Sequence, residues 1–255
     1  MLHHLKSYLQ FLWNSSNEHG VHSPFVFQLV TQCFYDKKKY AEYTVLQQHR
    51  QSLLENQSTI QVTDFGAGSR VFKSNNRQVS AIAKNAGISV KRARLLFRLV
   101  QYLQPEKILE IGTSLGLATT ALANGSKTAH ITSLEGCLET LQVAKHYCLS
   151  PDTITFVNTE FTSYLPTLVS NQYDLIYFDG NHSKEATLLY FDTLLSTITN
   201  TSVWIFDDIH WSTDMEEAWA IIQQHPQVTV TIDTYQWGLV FFRREQAKEH
   251  FTIRV

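Results

Sequence analysis

The sequence is poor in cysteine and has little net charge. It contains 3 cysteines in 255 residues and a formal net charge of −2. The cysteines, Cys33, Cys137 and Cys148, are odd in number and lack metal-ligand spacing, so neither a disulfide framework nor a zinc site is expected. This usage favours a reducing, cytoplasmic location. The near-neutral charge excludes a strong overall attraction to nucleic acid or anionic membranes.

Long apolar runs are also missing. No stretch is long enough to span a bilayer, so no membrane partner is expected. The first helix pattern, over residues 3–13, has leucines at helical spacing but is interrupted by histidine, lysine and glutamine. It therefore lacks the unbroken apolar segment of a secretory signal peptide.

The pattern of apolar residues changes at residue 104. Helical spacing dominates before it, at about 3–13, 24–35, 39–55, 77–86 and 90–103. Ser23-Pro24 is a typical helix start. After it, strands predicted at 107–111, 129–134, 153–157, 173–179 and 202–207 alternate with helices at 115–124, 137–149, 160–170, 184–198 and 213–224. Two further strands, at 228–233 and 238–243, follow each other without a helix between them.

This alternation predicts an α/β fold. We expect a Rossmann-like, doubly wound and mostly parallel sheet with an antiparallel C-terminal edge pair, plus a helical N-terminal extension. Residues 1–103 are predicted to form the extension, which covers substrate or makes dimer contacts, and residues 104–255 to form the catalytic domain.

The chain is organised around residues 107–116, Lys-Ile-Leu-Glu-Ile-Gly-Thr-Ser-Leu-Gly. A short apolar strand runs into a glycine turn, and a helix pattern follows. This geometry brings backbone N–H groups close to a nucleotide-like ligand, and Gly112 and Gly116 stand where a Cβ would obstruct the turn or the ligand.

Residues 61–70, Gln-Val-Thr-Asp-Phe-Gly-Ala-Gly-Ser-Arg, form a second glycine-rich stretch. No regular strand and acidic residue follow it at the spacing that a dinucleotide-type loop requires. We interpret it as a structured loop in which Gly66 and Gly68 allow positive φ. A role near the active site, through Ser69, Arg70 and Lys73, is the alternative.

Acidic residues follow three of the predicted strands. Glu135 ends the second strand, about two dozen residues beyond the glycine turn, where a carboxylate accepts hydrogen bonds from ribose hydroxyls. Asp179 follows the fourth strand, and Asp207 and Asp208 end the fifth. Ligands of open α/β sheets bind at these strand ends. Because clustered carboxylates repel one another, three of them predict a hard divalent cation, Mg²⁺ first.

Histidines provide the candidate bases. His182 lies three residues after Asp179, and a histidine side chain suits a general base acting on a substrate hydroxyl. His210 could lie behind the site or contact substrate, and Trp211 could line a pocket. His19-Gly20-Val21-His22 is interpreted as a turn with surface histidines, with a substrate lid as the alternative.

Taken together, these motifs resemble those of a known family. Residues 108–116, Glu135, Asp179-Gly-Asn-His182 and Asp207-Asp208 are similar to those of the class I S-adenosylmethionine-dependent methyltransferases. More narrowly, they resemble the metal-dependent O-methyltransferases of the catechol type and of the macrolide and aminocoumarin sugar type. The resemblance covers about residues 104–243. The Asp-x-x-His and Asp-Asp pattern matches the sugar-modifying branch, which argues against a catechol substrate but not against the metal.

The resemblance implies a function and a set of site residues. It implies methyl transfer from S-adenosylmethionine to a hydroxyl of a small molecule, with Mg²⁺ or another divalent cation held by Asp179, Asp207 and Asp208 and with His182 as the catalytic base. The predicted cofactor contacts are Glu110, Gly112, Thr113, Ser114, Gly116, Glu135, Gly136, Phe161 and Asp179, with Phe161 beside the adenine.

Other functions stay open from the sequence alone. They are methylation of a modified tRNA nucleoside, which the weak basic clusters at 37–39 and 91–94 hardly support, and cofactor binding without catalysis. A nicotinamide-dependent oxidoreductase is disfavoured because the turn lacks a third glycine. The expected partners are a small-molecule substrate and a second copy of the chain, without nucleic acid. The methyl acceptor itself is not identified.

Overall fold

The computed structural model describes residues 2–63, 65, 72–148 and 151–255. The chain divides into two compact units. One combines Met1–Thr31 with Thr162–Val255, and the other is Gln32–Phe161. These limits differ from the boundary predicted at 103/104, so the assignment of domains stays a prediction.

The N-terminal part of the first unit is helical. Helix α1 is Leu2–Asn14, a 3₁₀ turn covers Glu18–Gly20, and α2 is Pro24–Leu29. The Ser23 side chain accepts a hydrogen bond from the Val26 N–H and caps α2, as predicted. A π-helical segment, Val30–Phe34, follows α2 within the range predicted as one helix.

The second unit begins with helices and a small hairpin. Helix α3 is Glu42–Glu55, and strands β1 (Thr59–Gln61) and β2 (Asn76–Gln78) pair antiparallel. Helices α4 (Val79–Asn85) and α5 (Val90–Leu103) follow. The hairpin was not predicted, because each strand has only three residues, all exposed or half-buried, and so shows no periodic pattern of apolar residues.

A parallel sheet forms the rest of the second unit. Its strands are β3 (Lys107–Ile111), β4 (His130–Glu135) and β5 (Ile154–Asn158), with β4 in the middle. Helices α6 (Leu117–Gly125) and α7 (Leu138–Tyr147) connect them. Helix α6 packs closely on α5, since a Cβ on Gly125 would lie 2.6 Å from Val100 Cβ.

The C-terminal part of the first unit contains five strands. They are β6 (Leu175–Phe178), β7 (Val203–Asp207), β8 (Val230–Asp233), β9 (Trp237–Phe241) and β10 (Glu249–Thr252). Helix α8 (Phe161–Tyr164) precedes them, and α9 (Lys184–Leu194) and α10 (Thr213–Gln224) lie between β6, β7 and β8. Pro166 explains why the helix predicted at 160–170 is one α-helical turn followed by the 3₁₀ turn Leu165–Leu168.

The strands of the first unit pair in the order β6-β7-β9-β8-β10. The pairs β6–β7 and β8–β10 are parallel, whereas β9 is antiparallel to both β7 and β8. Every residue of β6 and β7 is buried, which is typical of parallel strands covered on both faces. The predicted α/β class, with a mostly parallel sheet, antiparallel C-terminal strands and a helical N-terminal region, is confirmed. Strand β10 was not predicted.

No helix in the described part of the chain is both long and apolar enough to cross a membrane. All three cysteines are free and buried.

Candidate active site

The glycine turn connects β3 to α6 in a conformation that favours glycine. Gly112 has φ of 103° and Gly116 has φ of 78°, and Ser114 between them also has a positive φ, 48°. A Cβ on Gly116 would lie 2.6 Å from Cys148 Sγ. Both the backbone angle and the close approach of α7 therefore require glycine at 116.

The turn meets the end of β4. The N–H groups of Gly112 and Thr113 both donate to the carbonyl of Leu134, at 3.0 Å. One Glu135 carboxylate oxygen accepts from the Ser114 N–H at 2.8 Å, and the other accepts from the Cys137 N–H at 2.9 Å. The structure therefore places the glycine turn and the acid predicted for the ribose side by side.

Glu110 lies in the same unit but beneath this surface. It is fully buried, and the Thr119 and Ser133 hydroxyls both donate to its Oε2. Burial raises its pKa to about 8, against the lowering effect of these two hydrogen bonds. Its Oε1 has no hydrogen-bond partner among the residues that the structure describes. Glu110 is therefore an interior acid whose pKa is raised by burial, and it lies beneath the turn.

Phe65 is a residue of this surface that sequence reasoning missed. Its ring lies so close to Gly136 that a Cβ there would approach Phe65 Cδ2 to 2.7 Å. The neighbouring Thr63 N–H donates to Cys137 Sγ at 3.4 Å. The start of the 61–70 stretch is thus next to the end of β4. Asp64 and residues 66–70, including the two glycines and Arg70, lie outside the described residues.

Phe161 was predicted beside the adenine. It begins α8, three residues after the end of β5, and is half-buried. The last residue of β5, Asn158, donates from its side-chain amide to the carbonyls of Glu135 and Gly136, at 2.8 and 2.9 Å. The segment leading to Phe161 is thereby tied to the end of β4.

The remaining predicted site residues belong to the first unit. In the parallel pair β6–β7, Phe178 is in register with Phe206, so Asp179 and Asp207 follow at equivalent positions of neighbouring strands, whose backbones lie roughly 5 Å apart. His182 Nε2 is 3.6 Å from Asp179 Oδ1. Asp208 and Asn181 have positive φ, 53° each. The structure therefore brings the acids and His182 to one end of two adjacent strands.

Asp207 is largely enclosed by protein. It is 3% exposed, and its Oδ2 accepts from the Tyr177 hydroxyl at 2.9 Å while its Oδ1 accepts from the Asp208 N–H at 2.7 Å. Within the described ranges, no group of three or more His, Cys, Asp or Glu side chains is arranged to hold a metal ion. Carboxylate oxygens are the type of donor that hard divalent cations prefer, and they can accept more than one hydrogen bond or ligand bond each.

His210 has a structural environment. Its Nδ1 lies 2.8 Å from Glu216 Oε1 and its Nε2 lies 2.8 Å from Asp233 Oδ2, and Ser7 of α1 hydrogen-bonds both His210 and Glu216. Burial lowers the pKa of His210, but the two carboxylates outweigh it and the pKa is raised. Both ring nitrogens are engaged, so His210 joins α1, α10 and β8.

The turn with His19 and His22 is a surface feature. His19 and His22 are both exposed, and the Asn17 side chain caps the 3₁₀ turn that contains His19. The interpretation as a turn with surface histidines is confirmed.

Comparison with known proteins identifies a similar domain and similar folds. Residues 109–209 match a family model described as a methyltransferase domain. No curated protein sequence matches this chain. Among solved structures, the S-adenosylhomocysteine-bound methyltransferase PaMTH1 of Podospora anserina is 14% identical with a TM-score of 0.62, and the match covers 88% of this chain and 97% of that one.

Two further solved structures are O-methyltransferases. The enzyme of Bacillus cereus in complex with S-adenosylhomocysteine is 17% identical, with a TM-score of 0.53 and coverage of 82% of this chain and 94% of that one. TomG of Streptomyces achromogenes, in complex with S-adenosylmethionine, is 15% identical, with a TM-score of 0.54 and coverage of 84% and 95%. Residues 109–209 are therefore similar to a methyltransferase domain, and the chain shares the fold of these solved methyltransferases.

Proposed function

We propose that the protein transfers the methyl group of S-adenosylmethionine to a hydroxyl of a small molecule and that a divalent cation, Mg²⁺ first, supports the reaction. The observation that carries this proposal is the β6–β7 register. It sets Asp179 and Asp207 at neighbouring strand ends, with His182 beside Asp179, in a chain with a methyltransferase domain.

The proposed cofactor residues are those of the glycine turn and the end of β4. Glu135 accepts the ribose hydroxyls, because a carboxylate can take both at once. The N–H groups of Ser114 and Cys137 already orient this carboxylate, which lowers the entropy lost on binding. The remaining proposed contacts are Glu110, Gly112, Thr113, Gly116, Gly136, Phe161 and Asp179, with Glu110 acting from beneath the turn.

The proposed cation ligands are Asp179, Asp207 and Asp208. Such an ion would lower the pKa of a hydroxyl group and fix its direction. The Tyr177 hydroxyl and the Asp208 N–H hold the Asp207 carboxylate in one orientation. These two hydrogen bonds would keep the Asp207 oxygens in place before a cation binds.

His182 is the proposed proton acceptor. Its Nε2 faces the Asp179 carboxylate, which leaves Nδ1 to take the proton of the acceptor hydroxyl. The carboxylate then stabilises the positive charge that the imidazole acquires. In-line attack on the methyl group needs a deprotonated oxygen held in one direction, so orientation supplies much of the rate.

The test is a methyl-transfer assay with a panel of phenols, vicinal diols and sugar hydroxyls, in which formation of S-adenosylhomocysteine is measured. His182→Ala should lower turnover by ~10²–10⁴-fold and leave affinity for S-adenosylhomocysteine unchanged. His22→Ala, at an exposed histidine in a surface turn, is the matched control. Equal turnover in both variants would remove His182 from the mechanism.

Removal of metal tests the cation. Treatment with EDTA should abolish turnover, and added Mg²⁺ should restore it in the native protein but much less in Asp207→Asn. Full activity in EDTA would exclude the metal. Turnover restricted to RNA nucleosides would replace the proposed substrate class. Cofactor binding without any turnover would refute the proposed enzymatic activity.

A second copy of the chain is the proposed partner. One side of α1 exposes large apolar side chains, at 58% for Leu5 and Leu9 and 90% for Trp13, with Tyr8 and Leu12 beside them. We estimate roughly 500 Å² per copy for this patch, so that a pair would bury about the 1,000 Å² that a specific interface needs. These five side chains are uncharged, and the exposed Lys6 lies at helical spacing beside Leu9, so a twofold pairing must keep Lys6 at the rim of the patch.

A cytoplasmic location is proposed on the three free, buried cysteines, which are typical of a reducing compartment.

A further inference from the structure

His49 lies behind the glycine turn, on a helix outside the matched domain. It belongs to α3 and is 6% exposed. Its ring stacks on Tyr147 at 5.9 Å between centroids, with an angle of 9° between the planes. Its Nδ1 is 2.8 Å from Thr120 Oγ1 on α6.

A chain of hydrogen bonds leads from His49 to the second glycine of the turn. Thr120 Oγ1 is 3.4 Å from Cys148 Sγ, and the Cys148 thiol donates to the Gly116 carbonyl at 3.6 Å. The Thr120 N–H donates to the same carbonyl at 2.9 Å. The turn is thus held from behind by side chains of α3 and α6 and by Cys148, which follows α7.

The direction of this chain follows from counting protons. A carbonyl only accepts, so the single proton of the Cys148 thiol goes to Gly116. The Thr120 hydroxyl must then donate to Cys148 Sγ, and its oxygen accepts from His49. His49 is therefore the Nδ1–H tautomer, and burial, which lowers its pKa to about 4, keeps it neutral. Its Nε2 has no hydrogen-bond partner among the described residues.

We infer that His49 is a positioning residue for the cofactor turn, acting through Thr120 and Cys148 on the Gly116 carbonyl. This inference rests on the proposed binding of S-adenosylmethionine at that turn. Gly116 has a left-handed backbone and begins α6, so rotation of its peptide would turn the adjoining N–H groups away from a ligand. The chain of hydrogen bonds from His49 through Thr120 and Cys148 to the Gly116 carbonyl, here called the relay, opposes that rotation.

The test measures affinity for S-adenosylhomocysteine by calorimetry and the melting temperature in parallel. His49→Leu and Thr120→Val remove hydrogen-bonding groups with little change of size. Because one such bond contributes a factor of ~3–10, each variant should weaken binding by about that factor. His49→Asn carries an N–H group near the Nδ1 position and should bind within about twofold of the native protein.

Leu53→Val is the matched control. Leu53 is fully buried on the same helix, so this change should lower the melting temperature without touching the turn. Its affinity for S-adenosylhomocysteine should equal that of the native protein. If His49→Leu lowers the melting temperature but binds as tightly as Leu53→Val, the role of His49 is structural only and the inference is wrong.

Nitrogen-15 chemical shifts of His49 in the native protein provide an independent reading. Protonation at Nδ1 is expected, and protonation at Nε2 would overturn the relay. If Thr120→Val fails to fold, Cys148→Ala interrupts the same chain closer to Gly116.

Native protein that binds S-adenosylhomocysteine but methylates no hydroxyl would refute the proposed reaction and leave this inference standing. Native protein that does not bind S-adenosylhomocysteine would refute both the proposed reaction and this inference.

Discussion

The buried acid at the end of β3 makes stability depend on pH. Glu110 has a pKa of about 8 in the folded protein because it is fully buried, against a value of 4.5 for an ordinary glutamate. Between these two values the folded protein keeps a proton that the unfolded chain has lost. The contribution of Glu110 to the free energy of unfolding is therefore largest below the unfolded pKa and is lost as the pH rises through the folded pKa.

Glu110→Gln should remove this dependence. The glutamine carbonyl oxygen can accept the Thr119 and Ser133 hydroxyls as Oε2 does, and no charge is formed at any pH. Each pH unit within the window corresponds to about 1.4 kcal/mol. We therefore expect the difference in unfolding free energy between the variant and the native protein to change by roughly 3 kcal/mol in favour of the variant between pH 5 and pH 8.

Urea unfolding of both proteins at a series of pH values measures this difference. Glu55→Gln, at an exposed position of α3, is the control and should show no such trend. A constant difference between Glu110→Gln and the native protein from pH 5 to pH 8 would refute the reasoning, because it would mean that Glu110 ionises alike in both states.

Three further predictions concern the turn, the acids and α1. Gly116→Ala should lower the free energy of unfolding by about 2 kcal/mol, because alanine is strained at this φ and its Cβ meets Cys148 Sγ. Adding Cys148→Ala should recover part of this loss. A denaturant series that shows no recovery in the double variant would contradict the contact. Tyr177→Phe should lower the free energy of unfolding by about 1–3 kcal/mol, because the buried Asp207 carboxylate loses a hydrogen-bond donor. An unchanged melting temperature would show that water replaces the hydroxyl. Leu9→Glu should convert a dimer to a monomer in sedimentation experiments, whereas Gln10→Glu, at an exposed polar position of α1, should not; a native protein that is already monomeric would refute the dimer.

Much of the fold follows from local patterns. The strand at 107–111 has the predicted limits, and the first turn of α2 is capped by Ser23 as the Ser-Pro pair predicts. Strand β10 could not be predicted, because Glu249–Thr252 lacks an apolar alternation and exists only through its parallel pairing with β8. The short β1–β2 hairpin depends in the same way on its partner strand.

The candidate site shows the same division. The glycines, Glu135 and the Asp-Asp pair are recognisable because each follows a strand, and the ends of parallel strands carry ligand sites. The linear sequence does not indicate that Tyr177 and the Asp208 N–H already hold Asp207, or that His210 bridges Glu216 and Asp233. Apart from the bond between the adjacent Asp207 and Asp208, these contacts join residues that are separated along the chain, and no spacing rule relates them.

Periodicity, caps and glycine positions are properties of neighbouring residues, so the alternation of strands and helices after residue 104, the glycine turn and the acidic strand ends can be read from the chain alone. The raised pKa of Glu110, the contact of Phe65 with Gly136 and the hydrogen bond of His49 to Thr120 arise only from packing. Burial sets the cost of a charge and brings together residues that are dozens of positions apart, and both depend on the surroundings that the folded chain builds around each group.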